Sequence, residues 1–149
     1  MVGLLNQDEI EALLRQCRVG RIGCCVDDRP YVVPVDYAYD GTAVYVASGQ
    51  GRKIEAMREQ PRVCFEVDEV DEAHGTVAWR SVIADGVYDE LTADGARRAA
   101  LTLLGNTCGD APSCTPVIPA GVIVFRIELT EKAGRFGREE SWIDGQDDL

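Results

Sequence analysis

Residues Tyr31 to Lys53 read YVVPVDYAYDGTAVYVASGQGRK, and the reading of this run decides the fold. Its first half is rich in Val and Tyr, residues that fit a pleated, half-buried strand. Asp40 and Gly41 then mark a turn, after which Ala43 to Ala47 resumes the strand composition. Pro34 has no amide to give to a ladder, so its strand belongs at an edge or a local opening, where neighbouring backbone groups are free to meet a planar ligand. The run closes on Ser48, Gly49, Gln50, Gly51, Arg52 and Lys53. Two glycines let a ligand approach the backbone, a helix start offers unpaired amides, and two cations stand beside them, a combination suited to a phosphate group. The run lacks the third glycine of a dinucleotide-binding turn and the spacing of a P-loop.

Working outward, Val19 to Val26 forms another strand, joined to the first run by a turn over Asp27 to Pro30. The first three strands are therefore expected to run antiparallel. Ahead of them, Ile10, Leu13, Leu14 and Cys17 recur at steps of three and four, one face of a helix spanning Asn6 to Cys17, with Asn6 and Glu9 placed for a capping box. On the other side, a short helix from about Arg52 ends before Pro61, Val63, Phe65 and Val67 alternate, and a long strand covers Thr76 to Tyr88. A helix from Ala93 to Leu104 and the alternation of Ile123, Phe125, Ile127 and Leu129 complete the pattern. Asp68 to Gly75 reads as a polar loop carrying His74, 106–120 as a long loop containing Pro112, Pro116 and Pro119, and 139–149 as an acidic tail. The sum is a single, mainly β domain over 1–149, six antiparallel strands with flanking helices, suited to a small barrel.

Composition narrows the function. The 149 residues carry a net charge of -11, which repels phosphate backbones and argues against nucleic acid as a partner. No apolar run approaches the roughly 20 residues that cross a bilayer, and the first residues lack the basic start and apolar stretch of an export signal. A cytoplasmic protein is expected, its six cysteines reduced. No CxxC pair is present and His74 is the one histidine, so no metal site is expected. Cys24 and Cys25, adjacent on a strand, point to opposite faces. Cys108 and Cys114 share the proline-containing loop, where a redox or metal pairing competes with free thiols; the compartment favours free thiols. His74 and the acids from Glu66 to Glu72 read as solvated. On the long strand, alternation sends Trp79 and Ser81 to one face and Arg80 to the other, from where Arg80 is able to reach a phosphate.

DDRPYVVPVDYAYDG, then YVASGQGRKIEAMREQPRVCFEVDEV, VAWRSVIADGVYDEL and the closing VFRIELTEKAGRFGRE resemble, in that order and spacing, the flavin-nucleotide-binding proteins related to pyridoxamine 5'-phosphate oxidase, and most of all the nitroimidazole-resistance proteins. The resemblance runs from about Glu9 to Arg138. It implies a split β-barrel, a homodimer with FMN at its interface, and an oxidoreductase acting on a small acceptor, with NADH or NADPH as a possible donor. It also implies roles: Arg52 and Lys53 on the phosphate, Ser48 and Gly51 close to it, Val33, Pro34 and Val35 along the isoalloxazine ring, and Trp79, Arg80 and Ser81 completing the pocket, partly from the other subunit. No catalytic side chain is required, since the flavin carries the chemistry. Two departures matter. Ala47 and Ser48 stand where nitroimidazole-resistance proteins have a histidine before the phosphate turn, and the closing Arg135 to Arg138 lacks the arginine and histidine motif of vitamin-B6 oxidases. A flavin-binding or redox-sensing module, or a relative that binds deazaflavin F420 or haem, is the alternative.

Overall fold

The computed structural model describes residues 2–73, 76–105 and 119–140, with 139 and 140 described for their backbone alone. His74, Cys108, Cys114, most of the proline-containing loop and the tail beyond 140 lie outside the described residues. The first helix, α1 (Gln7–Gln16), is set by its cap: the Asn6 side-chain oxygen accepts from the Glu9 amide at 2.9 Å, and Glu9 accepts from the Asn6 amide at 3.1 Å. Its apolar face buries Ile10, Leu13 and Leu14, as the three-and-four spacing predicts.

Strands β2 (Val19–Val26) and β3 (Arg29–Asp36) form an antiparallel hairpin that closes at Val26 opposite Arg29. Its two turn residues, Asp27 and Asp28, hold φ of 50 and 61, the left-handed pair that matches the twist of the flanking strands. The remaining strands are a short β1 (Val2–Leu4), β4 (Ala38–Tyr39), β5 (Ala43–Ser48), β6 (Arg62–Ala73), β7 (Thr76–Leu91) and β8 (Ile123–Glu140); α2 (Arg52–Glu59) follows β5 and α3 (Asp94–Leu103) follows β7. The sheet order is β3-β2-β6-β7-β8-β5-β4, with β1 added to β8. This is the mainly β split barrel that the sequence leads one to expect: the ladder does not close, and β3 at one end comes near β5, next to last at the other, without pairing to it.

Two expectations are corrected. The second predicted strand, Tyr31 to Tyr39, is broken at Tyr37 into β3 and β4; β5 pairs antiparallel with β4, as the turn at Asp40 predicts, but its long ladder is with β8 and it has none with β3, since an edge bearing Pro34 is a poor ladder partner. Asp68 to Ala73, read as a loop, is the second half of β6, paired with Thr76 to Ser81. Its polar composition hid it because that half of the hairpin is largely exposed and is held by backbone pairing and by the ion pairs of Arg21 with Asp68 and Arg80 with Glu69.

Leu13, Ile22, Phe65, Val67, Val82, Phe125 and Ile127 form the centre of the core, each fully buried, and Tyr37 packs its edge on Phe65 at 4.9 Å. A smaller cluster lies outside the barrel, where Ala100 and Leu101 of α3 pack on Val124, with Tyr45 and Ala47 beside them. The β7–β8 ladder shifts register at Asp85/Gly86, leaving Thr130 as the extra residue of a bulge. Among the described residues, no helix is long and apolar enough to cross a membrane, and no three His, Cys, Asp or Glu side chains are grouped to hold a metal ion.

Candidate functional site

The split between β3 and β5 brings together most of the residues that the sequence singles out. At one end of β3, Tyr31 shares a cleft of about 380 Å³ with Arg52, together with Val26, Asp27, Arg29 and Pro30. At the other end, Asp36 and Tyr37 share a cavity of about 310 Å³ with Ala47, Arg18 and Leu104. The chain from Tyr31 to Tyr37 therefore runs beside the chain from Arg52 back to Ala47, in the opposite direction. Val33, Pro34 and Val35 lie between these ends, across from the Ser48 to Gly51 turn.

β3 gives one edge to β2 and leaves the other to the split. Its side chains alternate: Pro34 is exposed, Val33 half-buried, and Val35, 7% exposed, belongs to the core. A ligand in the split would thus meet Val35 through its backbone edge, because its side chain points inward.

The turn is open. An added Cβ at Gly49 or Gly51 would find no atom within 4 Å, and Gly51 has φ 174, an extended conformation available to any residue. Neither backbone strain nor internal packing calls for these two glycines. Gly51 caps α2 without a side-chain hydrogen bond, so amides of the first turn are left to other acceptors. Arg52 is exposed and Lys53 half-buried; among the described residues, neither has an ion pair. The guanidinium of Arg52 lies over the Tyr31 ring, 5.5 Å from its centroid, which holds the charge at the mouth of the split. Burial pushes the Cys24 thiol up, against the pull of the nearby Lys53 charge, and this keeps the thiol protonated and unreactive. The Ser48 hydroxyl donates to the Gly49 carbonyl at 2.9 Å and must turn to meet a ligand.

Trp79, Arg80 and Ser81 are not brought to this turn. They sit on the half of β7 that pairs with Arg135 to Gly137 of β8, whereas the turn follows β5, which pairs with Ile123 to Glu128 at the other end of that strand. The predicted alternation holds: Arg80 shares the face of the buried Val82, while Trp79 and Ser81 face outward. Arg80 donates through Nε to Glu69 at 2.8 Å, so its charge is matched within the hairpin. Trp79 covers Gly137, where an added Cβ would come within 2.4 Å of the indole.

Sequence reasoning did not single out Arg18, Arg29, Tyr31, Asp36 or Tyr37. The edge proline was the available signal: it places both ends of its strand beside the opening, but which segment lies across from them depends on tertiary folding.

A family model for pyridoxamine 5'-phosphate oxidase matches residues 6–136. A FAD-binding protein of Mesorhizobium loti has a crystal structure that aligns with a TM-score of 0.75 at 35% identity, covering 92% of this chain and 99% of that one. A candidate 5-nitroimidazole antibiotic resistance protein of Bacteroides thetaiotaomicron aligns with a TM-score of 0.74 at 21% identity, over 91% of this chain and 87% of its own. An uncharacterised protein of Rhizobium meliloti is 35% identical over 92 residues, which are 62% of this chain and 59% of that relative's length.

Proposed function

Since the chain belongs to the pyridoxamine 5'-phosphate oxidase family, we propose that it binds a flavin nucleotide, FMN, in the split and acts as an oxidoreductase on a small acceptor. One observation carries the reading. Two cations that have no ion pair among the described residues, Arg52 and Lys53, stand at a helix start without a side-chain cap, behind two glycines whose open sides serve neither conformation nor packing. That arrangement fits a phosphate group.

In this reading Arg52 and Lys53 bind the phosphate, Ser48 and Gly51 approach it, and Val33, Pro34 and Val35 offer the free edge of β3 to the ring. The bound flavin supplies hydride or electron transfer, while the side chains hold it and shape its surroundings. The acceptor, a nitro compound, a quinone or another flavin, occupies the cavity at Ala47, where the absence of a bulky side chain leaves room between Asp36, Tyr37 and Arg18. NADH or NADPH is the donor.

The protein works as a homodimer in the cytoplasm, with Trp79, Arg80 and Ser81 completing the pocket across the subunit interface. Val32, Val70 and Ile83, 65%, 57% and 57% exposed, share the outer face of the sheet and supply apolar surface for that contact. The FAD-binding function of the Mesorhizobium loti relative favours a second reading, in which FAD takes the same place.

The test is the double variant Arg52→Ala/Lys53→Ala. Charge-assisted hydrogen bonds contribute about 1.5–3 kcal/mol each, so flavin affinity should fall more than about a hundred-fold with the circular dichroism spectrum unchanged. Unchanged affinity would place the phosphate elsewhere. Bleaching of the loaded wild-type protein by NADH or NADPH without oxygen supports turnover; a flavin that stays oxidised favours a binding or sensing role.

A further inference from the structure

Away from the split, the outer face of the β2–β6 ladder carries two exposed thiols, Cys25 and Cys64, although cysteine is among the residue types most often buried. Gly23 stands directly opposite Cys64 in the ladder, and Cys25, two residues further along β2, shares its face. Cys24, between them, points into the core and is 5% exposed. The Cys64 sulfur leans across onto β2: it lies 2.5 Å from where a Cβ at Gly23 would stand, so the missing side chain is what leaves it space. Cys25 and Cys64 are diagonal neighbours, a relation that sets backbones roughly 7–8 Å apart and side chains closer. Both are near enough to Cys24 for their charges to act on its thiol. On the same face the register brings the exposed Arg62 opposite Cys25, and Val32 of β3 stands opposite Gly23. Among the described residues Arg62 has no ion pair.

The spacing decides what this pair of thiols can do. Beyond about 7 Å between Cα atoms a disulfide requires backbone movement, whereas an ion held about 2.3 Å from each sulfur bridges a wider gap. Zinc in a closed site takes four ligands, and among the described residues no three His, Cys, Asp or Glu side chains are grouped to hold a metal ion. Two thiolates alone suit a soft monovalent ion, because thiolate ligands select copper(I). The resulting complex carries one net negative charge, which the Arg62 guanidinium balances, and Val32 gives it an apolar border. We propose that Cys25 and Cys64 form a two-coordinate copper(I) site on the outer face of the sheet, apart from the flavin cleft. Binding replaces two S–H bonds with two sulfur–copper bonds and releases two protons to solvent with no change of oxidation state, so affinity rises with pH.

The reduced full chain, carrying Cys108→Ser/Cys114→Ser so that those two thiols do not contribute, is titrated with copper(I) without oxygen against a chromophoric copper(I) chelator. Cys25→Ser and Cys64→Ser are titrated in the same background. One equivalent should bind, and each further variant should lose about a hundred-fold or more in affinity with the circular dichroism spectrum unchanged. Raising the pH from 6 to 7 should tighten binding by more than about ten-fold, as the release of two protons requires. In the wild-type chain, which needs no substitution to be read, bound copper(I) should protect Cys25 and Cys64 from alkylation by iodoacetamide, measured by peptide mass. Copper(I) kept by either single variant overturns the site, as does equal alkylation of the two thiols with and without the metal, or a second thiophilic ion, zinc(II), bound as tightly as copper(I).

Discussion

Asp40 shows how much one turn residue carries. Its carboxylate accepts from the amides of Thr42 and Ala43, both at 2.8 Å, from the Thr42 hydroxyl at 3.0 Å and from the Tyr45 hydroxyl at 2.8 Å. Burial by itself would raise its pKa; these four donors overcome it and bring the value from 3.8 to about 2. Because the folded value lies below the unfolded one, the stabilisation is fully present above pH 3.8 and is lost as pH falls through about 2. Asp40→Asn should therefore lower the urea midpoint at pH 6 and approach wild type at pH 2, a convergence read from denaturation curves at the two pH values. The sequence marked Asp40 and Gly41 as a turn, and Gly41 does hold φ 102. It did not show the Tyr45 contact, which depends on the side chain of a strand residue reaching back to the turn.

Among the elements, α1 was the most legible and its attachment the least. Capping box and apolar spacing are local and survive in the sequence, but the contact that fixes the helix to the barrel joins residues far apart. Lys132 of β8 bonds the Glu11 carboxylate and, at 3.0 Å, the Tyr39 hydroxyl, which donates to Glu11 at 2.7 Å. Burial disfavours both charges, yet the mutual hydrogen bonds prevail and hold Glu11 below and Lys132 above their ordinary values. The Glu11 contribution is present above 4.5 and lost in acid as pH falls through its folded value; that of Lys132 is present below 10.5 and lost as pH rises through its own. Lys132→Met leaves the carboxylate without its cation and should destabilise by about 1–3 kcal/mol. Adding Glu11→Gln should recover part of that loss, measured as a coupling energy in a double-mutant cycle.

The whole molecule is a barrel with one unpaired seam, and the candidate site lies along that seam. The outward-facing Val32, Val70 and Ile83 predict a second copy on the outer sheet face. Sedimentation should give twice the 16.3 kDa of the chain, and Ile83→Lys, a charge set into that apolar face, should shift the protein toward monomer with the core intact. An unchanged mass in the variant would move the interface to another face. Trp79, Arg80 and Ser81, distant from the phosphate turn within one chain, share a pocket with it only if the assembly brings them there.

The sequence by itself determined the strand and helix periods, the edge position of Pro34, the capping of α1 and the Gly49 to Lys53 turn, because each is a local property of neighbouring residues. It also carried the family, through motifs spread along nearly the whole chain. Tertiary structure alone decided that β5 crosses to β8, that the polar half of β6 stays in the sheet, and that Tyr31 and Arg52 face each other while Asp36 faces Ala47. These depend on which distant backbone edges pair and which remain free, a choice made by burying Phe65, Val82, Phe125 and Ile127 together and written in no short stretch of the chain.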